Sequence, residues 1–192
     1  MTFEKITLFS NDISREFEIF TKLGFECIEQ NKAYYKFIIN NTIFSINNRQ
    51  KAVFTNYLLK FELDVISFEL VNSLKFENYT TFKTNKNENI EIESNDKNGF
   101  LFQFSKSNKE LQNRNEKLNY NLISLNCNTE FVVEYTTEII ENVIISNNIF
   151  DIKLNSDNSK LSQNTPISIL TNKGDFKENL IFSGKGLVTT KI

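Results

Sequence analysis

Apolar residues along the first hundred positions change their period in a fixed order. Ile6 and Leu8, flanked by Thr7 and Phe9, alternate as a strand does. Asp12 then stands where a helix N-cap belongs, and Ile13, Phe17 and Phe20 fall on one face of the helix that follows. Gly24 supplies the left-handed stop that helix C-termini favour. Strands are predicted over Phe25 to Glu29, Ala33 to Ile39 and Thr42 to Ile46, with Asn40-Asn41 as a tight turn between the last two. The order is β-α-β-β-β.

The same order then returns. Leu58 to Leu63 reads as a strand, Asp64 as a cap and Val65 to Leu74 as a helix. Asp64 lies 52 positions after Asp12, and the same offset aligns Phe9 with Phe61 and Ile13 with Val65. Strands follow over Thr80 to Thr84, Ile90 to Ser94 and Phe100 to Phe104, with Asn98-Gly99 as the turn before the last. A duplicated order of elements carries more information than any single motif.

The pattern lapses over residues 107–119, a polar stretch that reads as a linker. Beyond it, residues 120–192 form a C-terminal α/β segment. A strand is expected over Tyr120 to Cys127 and a helix over Glu130 to Ile145, weakened by Val132, Val133, Thr136 and Thr137. Short strands are expected over Ile149 to Leu154, Ile167 to Leu170 and Leu180 to Phe182, punctuated by Pro166 and Asn172-Lys173-Gly174-Asp175. Gly184-Lys185-Gly186 reads as a loose turn. The segment is either a small appendage, the reading preferred here, or a third, eroded β-α-β-β-β unit.

Composition narrows the functions. The 192 residues include 19 Phe and 6 Tyr, enough for a substantial core. A net charge of −2 with interspersed signs offers no basic stripe, so nucleic acid is not an expected partner. Apolar runs of four or five residues are too short for a membrane span, and Glu4, Lys5 and Asp12 sit where a signal peptide would need an apolar stretch. Two cysteines, Cys27 and Cys127, read as free thiols of a cytoplasmic protein. The sequence has no histidine, which removes Ser–His and Cys–His nucleophilic pairs. Glu91 and Glu93 alternate along one strand, so they share a face that solvent explains.

Residues 5–105 resemble the vicinal oxygen chelate superfamily, which includes glyoxalase I, ring-cleaving dioxygenases and bleomycin-binding proteins. The resemblance is carried by Ile6-Thr7-Leu8 before Asp12, by Phe20-Thr21-Lys22-Leu23-Gly24-Phe25-Glu26, and by Asp96-Lys97-Asn98-Gly99-Phe100-Leu101-Phe102-Gln103. In the last segment Lys97 replaces the family's proline and Phe100 its asparagine. The resemblance implies an α+β fold in which paired βαβββ modules form a half-open barrel (residues 1–106), with residues 120–192 appended or forming a third module.

Catalytic members of that family hold a divalent metal on four strands. Carried over by position, the ligands fall on Lys5, near Ser45, on Leu58 and on Gln103. A protonated lysine has no free lone pair, leucine has none, and serine is a weak ligand, so only Gln103 is competent. The resemblance therefore implies no metal cofactor and points away from catalysis, toward the bleomycin-binding branch. In that reading Lys5, Thr7, Phe9, Tyr35, Phe37, Ser45, Lys60, Glu62 and Gln103, with Ser105, line a cleft that sequesters or senses a small apolar or planar molecule, in a homodimer. The alternatives are a divergent metal-dependent lyase or dioxygenase, and an interaction module with a filled barrel.

Overall fold

The computed structural model describes residues 2–49, 57–84, 88–108, 111, 118–127, 144–146, 151–154, 165, 167–173, 176–183 and 186–191. Asp12 caps the first helix by accepting the Arg15 amide at 3.0 Å, and Asp64 caps the second by accepting the Ser67 amide at 2.7 Å. Each aspartate thus satisfies an amide that has no partner inside its own helix. The first module runs β1 (Thr2–Ser10), α1 (Ile13–Lys22), β2 (Glu26–Gln30), β3 (Tyr34–Ile39) and β4 (Thr42–Asn48). The repeat follows as β5 (Leu58–Leu63), α2 (Val65–Ser73), β6 (Tyr79–Thr84), β7 (Asn89–Ser94) and β8 (Leu101–Lys106). Gly24 adopts φ 82°, and Asn40 and Asn41 make the β3–β4 turn at φ 50° and 61°. These are left-handed conformations that glycine and asparagine enter at low cost.

Six further strands come from the remainder: β9 (Tyr120–Cys127), β10 (Ile144–Ser146), β11 (Asp151–Leu154), β12 (Ile167–Lys173), β13 (Phe176–Ser183) and β14 (Gly186–Lys191). Two open seven-stranded sheets result. Sheet A has the order β14-β13-β12-β1-β4-β3-β2, and sheet B the order β10-β11-β9-β5-β8-β7-β6. The protein is therefore α+β, with two helices among the described residues and neither sheet closed.

The strands of residues 120–191 do not form a sheet of their own. β12 runs antiparallel to β1, and β9 runs antiparallel to β5, so the C-terminal strands extend one sheet each way. Within each βαβββ module the first and last strands are parallel neighbours, as in β1 with β4 and β5 with β8. The β9–β11 pair is parallel in the same way. Most of the expected helix over Glu130 to Ile145 lies outside the described residues, but its last two positions, Ile144 and Ile145, belong to β10. Most of the expected linker, Pro166 and Gly184-Lys185 also lie outside them. β14 follows where only a loose turn was expected.

One core unites the two sheets. It holds Ile6, Leu8, Phe37, Phe44 and Ile46 from sheet A with Leu59, Phe61, Ile92, Phe102 and Phe104 from sheet B. Phe20 of α1 bridges them, its ring 4.9 Å from Phe37 and 5.5 Å from Phe102 between centroids. Phe25, at the helix exit just before β2, packs against sheet B, 5.4 Å from Phe61 and 5.2 Å from Tyr120. Because both sheets give one face to this core, their other faces point away from each other.

A buried polar joint locks the modules together beside that core. Glu16, with none of its surface exposed, accepts from Ser10 at 3.1 Å and from the Arg15 guanidinium at 2.9 Å, and takes a short bond from the Tyr79 hydroxyl. Arg15 also pairs with Asp96 at 2.8 Å across the two modules. Burial raises the Glu16 carboxyl above its ordinary value, with Arg15, Tyr79 and Ser10 opposing. Burial also pushes the Tyr79 hydroxyl well up, as does the adjacent Glu16. Gly99 closes the joint. A Cβ there would stand 2.7 Å from Ser94 Cβ and 2.9 Å from the Tyr79 hydroxyl, so only glycine fits without a shift.

Candidate functional site

Strand register decides which side chains share a surface. In sheet A, Ile6 sits beside Phe44 and Phe37 beside the same Phe44, while Tyr35 and Leu8 flank Ile46. All of these belong to the core face. Tyr35 and Phe37 therefore do not join Lys5, Thr7 and Phe9, as the sequence reading expected. Tyr35 stacks on Phe17 of α1 with centroids 4.5 Å apart, and Phe37 is fully buried against Phe20. The strand YYKFII has apolar residues at both parities, so alternation alone could not fix which face is inward.

The outer face of sheet A carries the others. Lys5 lies beside Ile43 and Leu170, and Thr7 beside Ser45 and Ser168. Ser45 is buried and its hydroxyl bonds Asn47 Oδ1 at 2.8 Å. Phe9 lies under the Arg49 guanidinium at 5.6 Å, and its amide donates to the Tyr57 hydroxyl at 3.0 Å.

The outer face of sheet B is different. Glu91, Gln103, Lys60, Ser124 and Asp151 form one row across five strands, each beside the next. A hollow of about 250 Å³ opens over the Glu91, Gln103 and Lys60 part of this row, walled also by Asn89, Ser105 and Ile123. Gln103 Nε2 donates to Glu91 Oε2 at 3.0 Å, and the Ser105 hydroxyl donates to the Phe61 carbonyl at 3.3 Å. Lys60 makes no ion pair with any described residue. Ile123 enters the wall because β9 slips its register against β5 between Lys60 and Phe61, a bulge of the kind that re-aims a side chain.

Three predicted residues meet there: Lys60, Gln103 and Ser105. Glu62 shares their face, beside Ser105. Asn89 and Glu91 were missed as site residues. Their signal was present in the alternation of NIEIES, whose polar side was assigned to solvent. Ile123 left no signal, since a bulge is a property of the pairing.

The residues do not suit the family metal. Lys5 and Ser45 lie on sheet A and Leu58 and Gln103 on sheet B, so the four positions point to opposite sides of the sheet pair. Gln103 is the one good donor of the four. Among the described residues, no three His, Cys, Asp or Glu side chains come together in a way that would hold a metal ion. Cys127 is a buried free thiol pushed up to about 12 by burial.

No protein-family profile and no curated protein sequence matches the chain. Solved structures do. The chain is similar to a candidate dioxygenase from Bacillus subtilis subsp. subtilis str. 168, with 10% identity, a TM-score of 0.51, and coverage of 100% of this chain and 84% of that one. It is also similar to cppA of Streptococcus pneumoniae TIGR4, at 11% identity and TM-score 0.49 over 97% of this chain and 96% of that one. A bleomycin resistance determinant encoded on transposon Tn5 gives 11% identity and TM-score 0.36 over 57% of this chain and 100% of that one. The chain has the glyoxalase-like fold of vicinal oxygen chelate proteins. The likeness to the Bacillus protein runs through residues 106–192 as well as 5–105.

Proposed function

We propose that this protein binds a small polar molecule in the hollow on sheet B, without a metal, and acts by sequestration or sensing. The observation that carries the reading is the lysine in the wall of that hollow: Lys60 is half-buried, flanked along the row by Gln103 and Ser124, and has no ion-pair partner among the described residues. A cation held in place on a rigid strand, with amide and hydroxyl groups around it, is the arrangement of an orienting site. A volume of about 250 Å³ lies below the roughly 300–1,000 Å³ of sites for drug-sized ligands, which favours a compact metabolite over a large antibiotic. Tyr35 and Phe37 are committed to the core, so the planar or apolar ligand expected from aromatic walls gives way to a polar one.

Two further parts of the reading follow. Each sheet draws its second half from the same chain, so a homodimer is not required to complete the hollow. The free thiols of Cys27 and Cys127 suit a reducing compartment such as the cytoplasm. No helix among the described residues is long and apolar enough to cross a membrane.

The test is a thermal-shift and calorimetric screen of small carboxylates, phosphates, polyols and amines against the metal-free protein, repeated for Lys60→Met. Binding at a single site that weakens tenfold or more in Lys60→Met is expected. Stoichiometric uptake of Mn, Fe, Ni or Zn, measured by plasma spectrometry, would favour the metalloenzyme alternative. A screen without any response would leave only the interaction module.

A further inference from the structure

Three wall residues of the hollow come from strands that neighbour one another in sheet B. Lys60 of β5 stands between the buried Leu59 and Phe61, Gln103 of β8 between Phe102 and Phe104, and Glu91 of β7 between Ile90 and Ile92. Alternation along each strand thus fixes all three on the face opposite the core. Register sets them in line, Lys60 beside Gln103 and Gln103 beside Glu91. The hollow therefore carries a cation on one side, a carboxylate on the other and an amide between them.

The two charges are held apart. Side chains stand roughly perpendicular to a sheet, so Lys60 and Glu91 inherit a separation of about two strand spacings, roughly 10 Å. Gln103 occupies the strand between them and directs its Nε2 to Glu91 Oε2 at 3.0 Å. Lys60 makes no ion pair with any described residue, Glu91 included. The amide steadies the carboxylate without cancelling its charge, and a carboxylate accepts more than one hydrogen bond. Lys60 and Glu91 are both half-buried, where an opposite charge is worth more than in open water.

We infer that the hollow takes a small zwitterion, an amino acid whose carboxylate pairs with Lys60 and whose ammonium pairs with Glu91. This rests on the proposed binding function and deepens it by naming the ligand class. Charge-assisted bonds of about 2.8 Å at each end leave about 4 Å for the ligand's own charge separation, the span of an amino acid with roughly one to three carbons between its ionised groups. A simple carboxylate satisfies Lys60 but meets the like charge of Glu91, and a simple amine has the mirror fault. Discrimination of this kind comes from the repelled group as much as from the attracted one. Ile123, 39% exposed, gives the wall an apolar side chain for the ligand's methylene groups.

The experiment uses the full chain, with alanine, β-alanine and 4-aminobutanoate as zwitterions and butanoate and butylamine as single-charge controls. Dissociation constants come from calorimetry, and chemical-shift changes locate the site. The best of the three amino acids is expected to bind at least tenfold more tightly than either control. Glu91→Gln, which keeps an acceptor for Gln103 and removes the charge, is expected to bring that amino acid down to the level of butanoate, with butanoate itself unweakened. Lys60→Met is expected to bring it down to the level of butylamine. Butanoate bound in the hollow as tightly as any amino acid, or amino-acid binding indifferent to Glu91→Gln, would overturn the inference and leave the proposed function standing. So would a hit of another class from the wider screen with no amino-acid binding. No response to any compound, amino acids included, would overturn both.

Discussion

Glu16 shows how a single side chain can tie stability to pH. Unfolded, its carboxyl titrates near the ordinary value of 4.5; folded, burial moves it upward against the pull of Arg15, Tyr79 and Ser10. A carboxyl with a raised native value stabilises fully below the unfolded value, and that contribution fades as pH climbs through the native one. Wild type is therefore expected to lose stability relative to Glu16→Gln as pH rises above about 4.5, read as diverging urea midpoints. The opposite trend would mean that Arg15 holds the carboxylate ionised. At this scale the sequence was partly legible. Lys60 and Gln103 could be placed because the strand pattern of LLKFEL and LFQFSK leaves few choices for them.

Elements were easier to read than their pairing. Both helices begin after the aspartates chosen for them, and β5 and β9 match their expected bounds, since caps and apolar period are local properties. Register is not local. The parity that turned Tyr35 toward α1 is set by how β3 meets β4, and the bulge that brings Ile123 to the hollow by how β9 meets β5. The stacked pair of Phe17 and Tyr35 gives a direct check. Tyr35→Leu is expected to cost about 0.5–1.5 kcal/mol of folding stability through the lost ring contact. It should leave affinity for any ligand of the hollow unchanged, as measured by denaturation and calorimetry on the same sample. A loss of affinity at full stability would return Tyr35 to the site.

At the level of the molecule, the 52-residue repeat announced two modules but not their company. Each first strand has a partner from residues 120–191: β1 has β12 and β5 has β9. A chain ending at residue 119 would leave the edges of β1 and β5 open, with unpaired amides and carbonyls along both. Such a truncation is expected to elute as aggregates in size-exclusion chromatography, whereas a self-contained N-terminal pair would give a monomer peak. The sequence could not show this, because hydrophobic pattern says that a strand exists and is silent about its neighbour.

The bond between the first and nearly the last strands has a consequence in time. Thr2 lies opposite Asn172 and Thr7 opposite Ser168, so one flank of β1 waits for its partner until about 160 further residues have been made. Contacts so distant along the chain are slow to close and leave a sticky ribbon edge during synthesis. β1 is thus expected to be the strand most open to mispairing while the chain is being made.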